Sequence, residues 1–390
     1  MQYFSKKRVL PVLVLILSSL VIFWQFPHIP LNLSYDEIEF AKLALTLKNQ
    51  WLIFSPYATG HATPYFYLLL LSLKTFGINA LGLRLPAALF GVANSVLIYF
   101  LFRESFEDGL AFLGASILIT MHWVFQFARY SFEATYLLFW ELLAIYALIR
   151  FRKTNQTWQL LILVVACVMA FYSYLPGRIF FLLPVGLLLF EKKYRHFGLI
   201  LLITIGLLAI PLVKSSGSME NRIQELTYLN QPLGVFTKIS YFWQNCSKNF
   251  WMFSVRGDLN GRHNYPGKPA LNPLLGILFW SGLLLALKNW PKNKLYLGWF
   301  VLGILPTLFT LPNQNPHFLR TYTITVSTVY FMLLVLKQCS RAPKRWQYIL
   351  IFLIVLSCIY EVRTYFKYQQ TVFPRAFEKK PDDLKKLKGF

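Results

Sequence analysis

The sequence predicts an all-α polytopic membrane protein with about 11 transmembrane helices, 11–13 at the limits. Three observations carry that reading. Hydrophobic residues make up 56% of the chain and charged ones only 14%, more apolar surface than a soluble core can hide. Apolar runs near the bilayer-spanning length recur from one end to the other. The short turns between them alternate between basic and non-basic, as loops on the two sides of a membrane do.

The first run, "VLPVLVLILSSLVIFWQF", follows Lys6, Lys7 and Arg8. It is too long for the core of a signal peptide, and no small-residue cleavage site follows, so it reads as an anchor that stays. With that span at 9–26, the others fall at 84–102, 109–122, 134–151, 158–174, 178–190, 197–213, 272–288, 295–311, 320–337 and 346–365. The run 64–76, "PYFYLLLLSLKTF", is shorter and reads as a helix lying in the outer interface. Were it to cross, the alternation of charge would break at the next loop. The inner turns then hold Arg103; Arg150, Arg152 and Lys153; Lys192, Lys193 and Arg195; Lys288, Lys292 and Lys294; and Lys337, Arg341, Lys344 and Arg345. Residues 1–365 form one membrane domain with two long outer loops, 27–83 and 214–271. The lysine-rich tail 366–390 falls outside, the exception to the charge rule.

The net charge of +23 invites a nucleic-acid reading. In a membrane protein, such an excess reflects orientation and contact with the lipid bilayer, and no nucleic-acid partner is expected. Cys167, Cys246, Cys339 and Cys358 have no metal-ligand spacing, so no disulfide framework and no metal site are expected.

"NLSYDEIEF", residues 32–40, places two carboxylates after the first span. Ser34 and Glu37 have capping-box spacing, with Leu33 and Ile38 around them as a staple. Asp36 falls in the first turn, where the helix dipole favours negative charge. The cap explains Ser34 and Glu37 well and Asp36 only weakly. "FQFARYSFEAT", residues 125–135, sets Arg129 and Glu133 four apart, either an ordinary ion pair or a pair facing the same outer cavity as Asp36. In "RGDLNGRHNYPGKP", residues 256–269, Gly257, Gly261 and Gly267 permit a folded loop. Its Arg256, Arg262 and His263 suit phosphate or sugar, and Asp258 and Asn260 suit sugar hydroxyls.

Glu37, Arg84, His122, Tyr174, Arg178, His317 and Arg320 complete the polar set on the outer side. Any single arginine there is explained as a snorkelling anchor at a helix end. The set is not, because cationic helix ends belong inside. Guanidinium groups clustered on an apolar protein point to an anionic, phosphate-bearing lipid. Carboxylates among them point to proton transfer.

This ordered series resembles the GT-C superfamily of membrane glycosyltransferases, in particular the protein O-mannosyltransferase and lipid A aminoarabinose transferase branch. The resemblance covers residues 8–190: the first span, Asp36-Glu37, "TPYFYLLLLSLKTFG", "LRLPAALFGVANSVLIYFLFR" and "ARYSFEATYLLFWELLAIYALIR". It implies inverting transfer of a sugar from a polyprenyl-phosphate donor to an acceptor hydroxyl on a protein, lipid or glycan, at the outer face of the cell membrane. Asp36 takes the position of the general base and Glu133 that of a second acidic group. The Lys-Pro-Pro run common in the family is Ala62, Thr63 and Pro64 here, so the phosphate contact must come from elsewhere: Arg84, Arg178, Arg256, Arg262 or Arg320. A monophosphate donor needs no metal, and no cofactor is expected. The rival readings are a lipid-linked glycan polymerase or ligase, which the first-loop acidic pair disfavours, and a transporter, which would carry its charges at mid-span. Glu37→Gln should do less to turnover than Asp36→Asn, because glutamine still serves a capping box.

Overall fold

The computed structural model describes residues 2–49, 51–54, 61–214 and 225–389. Parts of both long loops, 27–83 and 214–271, fall outside the described residues, as do the side chains of Lys6, Lys7 and Arg8. The described residues are mostly helical, and among them no strand ladder forms, only isolated bridges.

Counting α-helices of eight residues or more among the described residues, the first half contains α1 (Gln2–Phe23), α2 (Tyr35–Thr46), α3 (Pro64–Phe76), α4 (Ala80–Arg103), α5 (Asp108–Thr120), α6 (Ala134–Thr154) and α7 (Thr157–Phe171). The second half contains α8 (Leu182–Leu189), α9 (Arg195–Lys214), α10 (Val235–Trp251), α11 (Pro273–Lys288), α12 (Trp290–Leu308), α13 (Thr325–Cys339) and α14 (Lys344–Arg363). Each of the eleven apolar stretches expected to span is helical in the structure. Five helices are long and apolar enough to cross a membrane, or six if the bent pair at Asp108–Ala128 is one span, and four shorter apolar helices accompany them. The run 64–76 is helix α3, packed on α2 and α4.

Sequence signals set the boundaries. Pro64 and Pro273 stand in the first turns of α3 and α11, where a missing N–H costs nothing. Asn79 caps α4 by accepting from the Gly82 amide, and Asn272 caps α11 by accepting from Leu275. Helix α4 packs on α1, α5 and α6, α6 packs on α7, and α5 joins them to α13. The Tyr322–Cys339 stretch is central, 72% buried over its most apolar window. Lys192–Pro211 and Lys344–Thr371 are peripheral, at 22% each, and turn apolar side chains outward as a bilayer requires.

The two ends of the bundle are chemically sorted. At one end, Glu104 meets Arg150 and Lys153, Glu191 meets Arg152 and Lys294, and Arg103 meets Asp108. These are the turns expected on the basic side. At the opposite end, residues 27–37, 126–133, 256–264, 314–320 and 369–379 come together. The tail is no loose appendage. Lys379 bridges Leu33 through paired backbone hydrogen bonds, and Glu378 accepts from the Tyr35 amide at 3.2 Å. Gln369 donates to the Gly261 carbonyl at 2.9 Å. The tail therefore lies at the same end as the first loop.

Candidate active site

The start of α2 is built as the sequence implies and then reinforced. The Ser34 hydroxyl accepts from the Glu37 amide at 3.2 Å, and Glu37 Oε2 accepts from the Ser34 amide at 2.9 Å. Leu33 and Ile38 are both buried beside this box. Glu37 is wholly buried, and each carboxylate oxygen takes a second donor. Oε1 accepts from Arg84 Nε at 2.8 Å and from the Ser131 amide at 3.1 Å; Oε2 accepts from Arg84 Nη2 at 3.2 Å. The remaining Arg84 donors reach the carbonyls of Pro27, Pro30 and Asn32 at 2.6–2.8 Å. All five guanidinium N–H groups are thus spent within the protein.

This geometry corrects several site expectations. Glu37 and Arg84 are one buried ion pair that pins the first loop to α4, not substrate contacts. Arg129 is also buried. It donates to the carbonyls of Val21, Ile22, Trp24 and Ile29, satisfying the end of α1, and lies over the Phe366 ring at 4.8 Å. It does not pair with Glu133, whose Oε1 instead meets His61 Nδ1 at 3.1 Å. Asp258 is committed as well. It accepts from the amides of Asn260 and Phe318 at 2.8 and 2.9 Å and meets His263 Nδ1 at 2.9 Å. It folds its own loop rather than offering itself to a sugar. Gly257 permits that fold, since a Cβ would lie 2.0 Å from the Lys268 carbonyl, and Gly267 turns at φ +80°. Arg256 is exposed, and its charge is felt by Lys248.

Asp36 differs from all of these. It is half-exposed, and its Oδ2 accepts from Arg262 Nη1 at 2.6 Å. Its second oxygen has no hydrogen-bond partner among the described residues. Tyr130 stands beside the pair, its phenol pushed well up by burial, eased down by Arg262 and raised again by Asp36. Arg262 is followed by the buried His263, whose ring lies 4.7 Å from that of His317. Burial, then Arg320, His263 and Arg262, hold His317 well below the ordinary imidazole range. Its Nδ1 accepts from the Arg320 amide at 3.3 Å. The Arg320 side chain donates to Gln314 at 2.8 Å.

The second acidic position, Glu133, connects to α2 through His61 and Phe40. Phe40, four residues after Asp36, touches both the His61 ring, at 5.5 Å, and the Phe132 ring, at 5.1 Å. Phe132 in turn meets Tyr130 and Tyr174. Arg178 is within electrostatic reach of Glu133. Contacts thus link Asp36, Arg262, His263, His317 and Arg320 in one series and Glu133, His61 and Arg178 in another, with Phe132 between Tyr130 and Tyr174. Sequence reasoning missed His61 and Tyr130. Each carried a weak signal, one as a lone histidine before Thr63-Pro64, the other inside an already informative stretch. Two grooves of about 630 and 700 Å³ open elsewhere, along α1 and α4 and along α11, and neither includes Asp36.

Asp258, His263 and His317 also bring three possible metal-ligand atoms within 4.8 Å of one another. Two observations count against a cation there. Asp258 already has three partners, and Arg262 and Arg320 put positive charge beside His317. Isothermal titration of the purified protein with zinc or manganese should show no binding at this trio, and binding that His263→Ala abolishes would make it a metal site.

Residues 60–214 match the sequence profile of the dolichyl-phosphate-mannose-protein mannosyltransferase family. No curated protein matches the chain by sequence. Among solved structures, it is similar to the archaeal oligosaccharyltransferase AglB of Archaeoglobus fulgidus, in complex with an inhibitory peptide and dolichol phosphate. That match has 16% identity and a TM-score of 0.56, over 94% of this chain and 56% of that one. The apo form from the same organism matches at 15% identity and TM-score 0.58, over 95% and 57%. ArnT of Cupriavidus metallidurans, bound to undecaprenyl phosphate, matches at 14% identity and TM-score 0.54, over 89% and 62%. The chain thus spans just over half the length of the archaeal structures. Its helical bundle shares its fold, along most of its length, with AglB and ArnT.

Proposed function

We propose that the protein transfers a sugar from a polyprenyl-phosphate donor to an acceptor hydroxyl at the outer face of the cell membrane, with Asp36 as general base. The observation that carries this reading is Asp36 itself. Around the first loop, Glu37, Glu133 and Asp258 are buried and Glu39 pairs with Lys42 within its own helix, whereas Asp36 is accessible and held by Arg262 from another loop. The cap fixes the start of α2, and Arg262 fixes the carboxylate. The acceptor hydroxyl gives its proton to Asp36 as its oxygen attacks the anomeric carbon. The bond to the phosphate oxygen breaks with that electron pair, and one displacement inverts the centre. Cations neutralise the leaving phosphate, so no general acid and no metal are required. AglB and ArnT, which share the fold, were solved with dolichol phosphate and undecaprenyl phosphate, which supports a lipid-linked donor.

The orientation follows from charge. The basic end of the bundle faces the cytoplasm and the Asp36 end faces outward. In a background without native cysteines, Phe76→Cys should react from outside with an impermeant thiol reagent; Phe76 is 48% exposed. Labelling only after permeabilisation would invert the assignment. The reaction is tested by supplying the purified protein with prenyl-phosphate sugars and, in parallel, with nucleotide sugars. Turnover of the nucleotide sugar alone would remove the proposal.

A further inference from the structure

We infer that Gln369, in the C-terminal tail, is a positioning residue for the base: it holds Arg262 in place, and Arg262 holds Asp36. The inference rests on the reading above and concerns the same site. Arg262 Nη1 reaches Asp36 Oδ2 at 2.6 Å from a loop, not from a helix. A loop side chain can aim a carboxylate only where its own backbone is fixed. The base of this loop is secured by Asp258, which accepts from the amides of Asn260 and Phe318 at 2.8 and 2.9 Å. Asn260 Oδ1 then accepts from the Arg262 amide at 3.0 Å. The tip is met by the tail. Gln369 Nε2 donates at 2.9 Å to the carbonyl of Gly261, one residue before Arg262. Gly261 also lies flat against the turn that follows Gln369. A Cβ there would stand 2.5 Å from Val372 Cγ1 and 3.0 Å from Ala376 Cβ.

Gln369 can serve in this way because its own amide is oriented. It is wholly buried, and so is its neighbour His122, at the break after α5. His122 Nε2 meets Gln369 Oε1. An amide oxygen only accepts, so this imidazole carries its proton on Nε2 and leaves a lone pair on Nδ1, which has no partner. With Oε1 taken, Gln369 Nε2 is left to face the Gly261 carbonyl and, at 3.3 Å, Gln126 Oε1. The rings of Tyr365 and Phe125 lie 5.9 and 6.3 Å from that of His122 and pack it. One directed line results. His122 sets the amide, the amide sets the Gly261 carbonyl, and the next residue is Arg262. Neither His122 nor Gln369 touches Asp36, so both act on it through Arg262.

The test uses the full chain in nanodiscs and Gln369→Met, which keeps the length of the side chain and removes its amide, with gel filtration as the check on folding. In hydrogen exchange, the amides of 260–264 should exchange about 5- to 10-fold faster than in wild type, as for the loss of one hydrogen bond, while the capping box at 34–37 keeps its protection. In the transfer assay with prenyl-phosphate sugar, kcat should fall about 10- to 100-fold, the usual effect of a misplaced reacting group, and both KM values should stay within about twofold. Added to Arg262→Ala, Gln369→Met should cost less than about threefold more, because the two act through one contact. Should Gln369→Met fail to fold, Gly261→Ala probes the same contact from the loop side. It should lower kcat, and Val372→Ala beside it, which removes the methyl group it strikes, should recover most of the loss. Wild-type exchange at 260–264, or independent losses in the double variant, would overturn the inference while the transferase reading stands. So would a Gly261→Ala defect that Val372→Ala leaves untouched. If the wild type transfers no sugar from any prenyl phosphate, the transferase reading falls, and this one with it.

Discussion

Asp36→Asn is expected to reduce sugar transfer by about 10²- to 10⁴-fold, the usual cost of losing a general base. The amide keeps the shape of the side chain and can still accept from Arg262, so the connection between α2 and the 256–269 loop survives. It cannot take a proton from the attacking hydroxyl. Stability should change little, because one charge in the first turn of a helix contributes only about 0.3–1 kcal/mol. Donor KM should move less than kcat. A folded Asp36→Asn protein with wild-type turnover would return Asp36 to the role of a dipole-complementing residue and would take the assignment of chemistry with it.

Breaking the Glu37–Arg84 pair should have the largest effect on folding, about 3–5 kcal/mol for either partner removed. The cost arises from the charge left behind. Arg84 without Glu37 keeps three carbonyl contacts but no counter-ion, at a position with no exposure. Glu37→Gln falls in this class. Glutamine still satisfies a capping box, and on the cap alone the change would be mild. The buried arginine makes it severe. Thermal unfolding in detergent is the measurement, with Ser34→Ala alongside. Loss of the serine cap should cost about 0.5–2 kcal/mol, clearly less than Glu37→Gln. Equal effects would show that the cap is all that Glu37 provides.

That contrast shows what was legible in the sequence. The capping box is written within four residues, and the structure reproduces it, staple included. The apolar stretches were legible because burial in lipid needs length and composition, and all eleven are helical. The long-range pairs were not. Glu37 finds Arg84 across 47 residues, His61 finds Glu133 across 72, and Asp36 finds Arg262 across 226. No periodicity encodes such choices. They follow from which helix ends meet, and an arginine reads the same in sequence whether it faces phosphate or the carbonyls of a helix end. Arg129 was misread for that reason. So was its spacing from Glu133: four residues place two side chains on one helix face, but α6 begins only after Glu133, so that face does not exist.

The placement of the tail bears on the order in which the protein is made. The site end gathers residues 33–37, 126–133 and 256–263, and then 369–379, which bridge to Leu33, Tyr35 and Gly261. The residue that closes the first loop is thus synthesised nearly 350 positions after the one it meets, as the Tyr35–Glu378 separation of 343 shows. A ribosome still working on α14 holds a chain whose earlier helices can already be inserted but whose reaction centre is open on one side. Assembly of the site is therefore coupled to late translation. A chain cut short after its last long helix would sit in the membrane without the strap that ties Asp36's loop to Arg262's.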